Sequence, residues 1–237
     1  MRTSVLWAAA PLLLLACKDP GVTPDPSSTQ PATTAASKPA PAAMARPAGN
    51  LDPSPTREKA PEVFRAQFTT SKGKFTIEVH REWSPNGADR FYELISKGFY
   101  NDTRFFRAVE GFMVQFGLHG SPDVNRKWRA ANIPDDPVKQ SNKRGFVSFA
   151  MAGPGSRTSQ IFVNYNDSNA RLDAMGFSPF GQVVEGMDVV DNLYKGYGEG
   201  APRGKGPDQG RIQAEGNAYL DKDFPQLDRV LSASLLR

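Results

Sequence analysis

The sequence predicts a mainly β protein built on a closed antiparallel sheet, and three observations carry that prediction. Apolar residues alternate with polar ones between Phe64 and Val79. Short apolar runs recur after residue 100, each bounded by turn residues. Only two stretches show helical spacing. Isolated helices among many short strands argue against repeating strand–helix units and for a sheet that closes on itself.

The elements follow in order. Phe64, Ala66 and Phe68, then Phe75, Ile77 and Val79, each direct one face inward, and Ser71-Lys72-Gly73 supplies the turn between them. That is a hairpin with one buried face. Ser84-Pro85 offers an N-cap with proline at the first helical position, and Ala88, Phe91 and Ile95 share a helical face that stops at Gly98. Strand-like runs come next at Phe112–Phe116, Phe146–Ala150, Ile161–Val163 and Phe180–Val184. Met187, Val190 and Leu193 or Tyr194 mark a second helix between Gly186 and Gly196. Asp228–Leu236 alternates weakly, as a closing strand does.

Everything before residue 62 is of a different kind. Arg2 precedes an apolar run from Val5 to Ala16. The run is shorter than the roughly 20 residues a bilayer span needs, and it reads as a secretory signal covering residues 1–16. Leu14-Leu15-Ala16-Cys17 has the form of a bacterial lipobox, and Cys17 is the only cysteine in the chain. Acyl chains on Cys17 are expected to anchor the protein to a membrane. Lys18 follows where an aspartate would favour the inner membrane, so the expectation is the outer membrane, facing the periplasm. Ten of residues 18–61 are proline, and large apolar side chains are nearly absent. Residues 17–61 are thus expected to be a lipidated cysteine and a disordered tether, with a single folded domain over 62–237.

Composition narrows the chemistry. The 237 residues carry 29 Lys plus Arg against 25 Asp plus Glu, a net charge of +4 and no clustered basic footprint for nucleic acid. One cysteine and two histidines exclude a disulfide framework and leave no Cys/His metal cluster to build. No metal and no cofactor are expected. His80 and His119 lack helical partners and read as exposed structural residues. Gly196–Gly210 holds six glycines without a P-loop ending and reads as a mobile surface loop. Arg126, Lys127 and Arg129 around Trp128 read as a solvated loop with one packed indole.

Three segments stand in register. Residues 105–117 read Phe-Phe-Arg-Ala-Val-Glu-Gly-Phe-Met-Val-Gln-Phe-Gly. Gly145-Phe-Val-Ser-Phe-Ala-Met-Ala-Gly-Pro154 and Ser159-Gln-Ile-Phe162 follow, and then Leu172-Asp173 and Phe180–Val190. Together these resemble the signature segments of cyclophilins, the peptidyl-prolyl cis/trans isomerases. The resemblance implies an eight-stranded antiparallel β-barrel capped by two α-helices. It also implies an activity on X-Pro bonds of proline-containing polypeptides, by a monomer.

Such an activity suits this composition. The barrier to rotation is amide resonance, about 20 kcal/mol, so no nucleophile, metal or cofactor is required. An apolar slot for the proline ring and a fixed donor for the twisted amide suffice. By resemblance Arg107 is that donor, and Gln115 orients it and contacts the substrate carbonyl. Phe112, Met113, Phe162 and Leu172 fall at positions lining the proline pocket. Ala150, Met151 and Gln160 fall along the groove for the peptide backbone. The sequence departs from the family at four places. Arg171 stands where tryptophan is frequent, Phe177 at the pocket histidine, Phe106 at the histidine before the arginine, and Met151 at an asparagine. Phe177 is expected to keep the pocket apolar, and Met151 to act through its backbone. The departures at Met151, Arg171 and Phe177 also fit an alternative, a cyclophilin-fold module or chaperone that binds proline segments with little turnover.

Overall fold

The computed structural model describes residues 50–54 and 58–236. The signal segment and Cys17 lie outside the described residues, as does most of the expected tether. β1 (Val63–Thr70) and β2 (Gly73–His80) form the expected hairpin, with Phe64 opposite Val79, Ala66 opposite Ile77 and Phe68 opposite Phe75. These inward residues are buried, and the Phe68 and Phe75 rings stack at 4.9 Å.

The remaining strands are β3 (Arg107–Val109), β4 (Met113–Phe116), β5 (Phe146–Phe149), β6 (Ile161–Asn164), β7 (Pro179–Glu185) and β8 (Val230–Leu235). All ladders are antiparallel, in the order β3-β4-β6-β5-β7-β2-β1-β8. The expectation of a closed barrel is corrected here. The sheet is an open, curled half-barrel, since β3 and β8 share no ladder. β3 is only three residues long, too short to close the seam. Contacts between the chain just ahead of β3 and the start of β8 hold it instead: Phe105 N–H donates to Asp228 O at 3.0 Å and Val230 N–H to Thr103 O at 2.9 Å.

Helix content is higher than the sequence suggests. α1 (Pro85–Ser96) occupies its expected place and packs Phe91, Leu94 and Ile95 into the sheet core. The second expected helix, α3 (Met187–Asp191), has only five residues. α2 (Pro122–Arg129), α4 (Gln209–Glu215), α5 (Asn217–Asp223) and a 3-10 helix over Asp167–Met175 were not anticipated. The basic cluster thus sits on a helix rather than in a loop, although Trp128 is buried as expected. α4 and α5 form a second small core, in which Ile212, Tyr219 and Leu220 pack on Phe106 and Leu118. Phe106, one of the four departures, is therefore a hinge point of packing between the sheet and the C-terminal helices.

The folded body also begins before residue 62. Leu51 packs against the core, and its carbonyl accepts the Trp128 indole N–H at 2.6 Å. Ser54 N–H donates to Glu93 at 2.7 Å and Ala60 N–H to Asp89 at 2.9 Å. Neither histidine is exposed as expected. His80 stacks on Trp83 at 4.1 Å, and partly buried His119 accepts the Ser121 N–H at Nδ1.

Candidate active site

Three neighbouring strands set the site. Arg107 on β3 faces Gln115 on β4, and Gln115 faces Phe162 on β6. Because the pleat alternates, this register stacks one side chain from each strand on the same face of the sheet. Arg107 Nη1 donates to Gln115 Oε1 at 2.9 Å, and Gln115 Nε2 donates to Gln160 Oε1 at 2.8 Å. A polar row of three side chains therefore crosses the strands.

Gly117 allows that row to be compact. A Cβ there would lie 2.6 Å from Ser159 O, so only glycine lets the end of β4 run against the chain at Ser159 and Gln160. Gln160 is then fixed from its other side, where Ala150 N–H donates to its carbonyl at 2.9 Å.

Next to the row lies an apolar pocket. Met113, Phe162 and Leu172 are buried in it, and Phe112, Ala150 and Phe177 pack around them. Phe162 and Phe177 meet edge to face at 5.6 Å. The 3-10 helix delivers Leu172, and its end is pinned by Asp173, which accepts from the Ser141 hydroxyl at 2.5 Å and from the Asn142 N–H and side chain at 2.8 Å each. Burial pushes the Asp173 carboxyl up, and these bonds with the nearby Lys143 charge outweigh it, leaving its pKa below the ordinary value. Asn142 also donates to Phe177 O at 2.8 Å, which ties both pocket walls to one bracket.

Phe112 is held by its backbone, whose carbonyl accepts from Asn169 at 2.6 Å and from Tyr165 N–H at 2.9 Å. Two guanidiniums lie over its ring, Arg171 at 5.1 Å and Arg107 at 5.7 Å. Arg171 thus covers an aromatic edge of the pocket in place of the indole frequent in the family. Met151 lies across the groove, its Cε 3.5 Å from where a Gly176 Cβ would stand.

All ten expected site residues of the folded domain, the Arg107, Gln115 and Gln160 row among them, border one groove of about 580 Å³. Sequence reasoning missed the other wall. Arg203 from the glycine-rich loop, Gln209 and Gln213 from α4, and Arg129 and Asn132 at the end of α2 also line it. Most consequential is Glu199, whose carboxylate meets Arg107 at 2.6 and 2.7 Å. Gly196–Gly210 reads in the sequence as a mobile surface loop, and the structure has it bring this carboxylate to Arg107. Its one available signal was a lone carboxylate flanked by glycines at Gly198-Glu199-Gly200.

Comparison with known proteins bears on the family and the fold. Residues 65–213 match the family described as cyclophilin type peptidyl-prolyl cis-trans isomerase/CLD. The peptidyl-prolyl cis-trans isomerase B of Escherichia coli K12 is 33% identical over 179 residues, which is 70% of this chain and 95% of that protein. A peptidyl-prolyl cis-trans isomerase of Acinetobacter baylyi is 35% identical over 133 residues, 54% of this chain and 70% of that one. Among solved structures, a cyclophilin type isomerase of Cryptosporidium parvum superposes with a TM-score of 0.52 at 18% identity, covering 74% of this chain and 98% of that one. The same protein crystallised in the presence of the dipeptide Ala-Pro gives 0.51, covering 73% and 99%. With its signature segments assembled into one groove and a family match across most of the folded domain, the chain belongs to the cyclophilin-type peptidyl-prolyl cis-trans isomerases.

Proposed function

We propose that the chain speeds rotation about X-Pro bonds in exported polypeptides, holding the proline ring in the Met113/Phe162/Leu172 pocket while Arg107 stabilises the twisted amide. The observation that carries this reading is the hydrogen-bonded row of Arg107, Gln115 and Gln160 beside that pocket. As the C–N bond twists, conjugation is lost and the prolyl nitrogen gains a localised lone pair. A guanidinium N–H aimed there stabilises the transition state more than either planar isomer, which is the condition for rate enhancement. A guanidinium suits the task because its donors are rigid and forked. Gln115 orients it and leaves the pocket to do the binding. Ala150 and Met151 run along the peptide backbone, and Phe177 keeps the far wall apolar.

The export signal and Cys17 support a tether to the outer membrane, with the monomeric domain reaching into the periplasm toward clients as they fold. Uncatalysed prolyl isomerisation takes tens to hundreds of seconds, slow enough to limit folding there. Cys17→Ser is expected to move the protein from the membrane to the soluble fraction; continued membrane recovery would remove the anchor from this account.

Exchange NMR on a set of X-Pro peptides tests the catalytic reading. Acceleration by the unaltered protein, lost in Arg107→Ala while peptide binding persists, is the expected result. Binding without acceleration by the unaltered protein would replace catalysis with simple capture of proline segments.

A further inference from the structure

Arg107 is clamped from two sides, and only one of the clamps comes from the sheet. Gln115 takes an Nη1 hydrogen at 2.9 Å. On the other side Arg107 donates Nε–H to Glu199 Oε1 at 2.7 Å and an Nη2 hydrogen to Oε2 at 2.6 Å. That two-bond, side-on pairing fixes the plane of the guanidinium as well as its position. A guanidinium has five N–H donors, and these contacts use one on each nitrogen. One hydrogen therefore remains on each terminal nitrogen, so the carboxylate leaves donors available to a substrate.

The loop is shaped to present this carboxylate. Gly200 N–H donates to Glu199 Oε1 at 2.9 Å, and Gly206 N–H donates to the Glu199 carbonyl at 2.8 Å. A Cβ at Gly204 would stand 2.2 Å from that same carbonyl, so the loop closes around Glu199 only where a side chain is missing. Burial raises the Glu199 pKa, but the Arg107 bonds and charge, the Gly200 N–H and the Arg203 charge outweigh it, and the group stays ionised at neutral pH. Both partners are largely sheltered, with 16% of the Arg107 and 29% of the Glu199 side chain exposed, so the pair is screened less than a surface one.

We infer that Glu199 is a positioning residue for the isomerase reaction, which with Gln115 holds the Arg107 guanidinium in one orientation at the mouth of the proline pocket. Arginine is among the side chains with most rotamer freedom, and Arg107 rises from a three-residue edge strand with the Phe112 ring 5.7 Å from its guanidinium as its aromatic neighbour. Held by Gln115 alone, the guanidinium could swing about its one remaining bond; Glu199 removes that motion before substrate arrives. The inference rests on the reading of Arg107 as the donor to the twisted amide.

The test uses the full chain in five forms: unaltered, Glu199→Ala, Glu199→Gln, Arg107→Ala and the Arg107→Ala/Glu199→Ala double variant. NMR line-shape analysis on one X-Pro peptide gives kcat and Kd separately. Glu199→Ala is expected to lower kcat about tenfold with Kd within about twofold, because the pocket is untouched. Glu199→Gln, which keeps one acceptor oxygen but no charge, should fall between. In the Arg107→Ala background the Glu199 change should add nothing. The Arg107 Nε–H resonance should be protected in the unaltered protein and lost in Glu199→Ala.

An unchanged or raised kcat in Glu199→Ala would overturn the inference, the latter by making the carboxylate a brake. The same loss in the Arg107→Ala background would also overturn it, since Glu199 would then act through the loop and not through the guanidinium. If Arg107→Ala itself matched the unaltered protein, the reading of Arg107 would fall, and the inference with it.

Discussion

Arg107, Gln115 and Phe162 sit on three strands, yet each was legible from residues beside it in the chain. Each belongs to a contiguous segment that resembles a cyclophilin signature, and that resemblance is what marks it as a site residue. Glu199 was not legible, because its partner lies 92 positions away and glycines around it give no periodicity. Asp173 is intermediate: its place beside Leu172 was noted, but its grip on Ser141 and Asn142 was not. It bears a pH prediction. Its folded pKa is depressed, so its stabilising contribution is complete above the unfolded carboxylate value, about 4, and is lost as pH falls through the lower folded value. Asp173→Ala is expected to melt lower at pH 7, and the difference from the unaltered protein should shrink as pH falls below the unfolded carboxylate value of about 4. It should also bind X-Pro peptides more weakly, since Leu172 and Phe177 lose their shared bracket. Melting curves across pH check this, and a difference that persists undiminished in acid would contradict it.

At the scale of elements, the hairpin and α1 were read correctly because their apolar residues repeat at the period of the element. The other helices escaped for physical reasons. α2 buries only Asn125 and Trp128, and α4 and α5 are seven residues each with one or two buried side chains, too short for a periodic stripe. The cap of α1 is also less local than it reads. Ser84 makes no side-chain cap bond; its hydroxyl donates to Asp136 at 2.6 Å, and the Asp136 carboxylate accepts the Asn86 and Gly87 N–H groups at 3.1 and 3.0 Å. A buried carboxylate some fifty residues away thus caps the helix, with the Arg157 guanidinium 3.3 Å from it. Asp136→Ala strands those donors and leaves buried Arg157 with Asp135 as its remaining carboxylate at 3.0 Å, and is expected to cost about 3 kcal/mol. Denaturant unfolding measures it; a loss below about 1 kcal/mol would show that water or Ser84 can substitute.

Across the whole molecule, the boundary between tether and domain falls earlier than composition suggests. Proline and small residues dominate up to residue 61, so nothing in that stretch signals order, but Leu51 finds a place beside Trp128. A chain beginning at residue 62 is expected to lose about 2 kcal/mol relative to one beginning at residue 50, a shift of roughly 4–8 °C in Tm. Equal Tm values would return residues 50–61 to the tether. Under the proposed mechanism binding and rotation fall to different groups, apolar side chains for the one and the Arg107 row for the other. The most direct measurement is therefore kcat and Kd for one X-Pro peptide in Arg107→Ala and Phe162→Ala side by side. The account predicts that Arg107→Ala lowers kcat by about a hundredfold with little change in Kd, and that Phe162→Ala chiefly weakens binding. A loss of affinity in Arg107→Ala with kcat intact would contradict it.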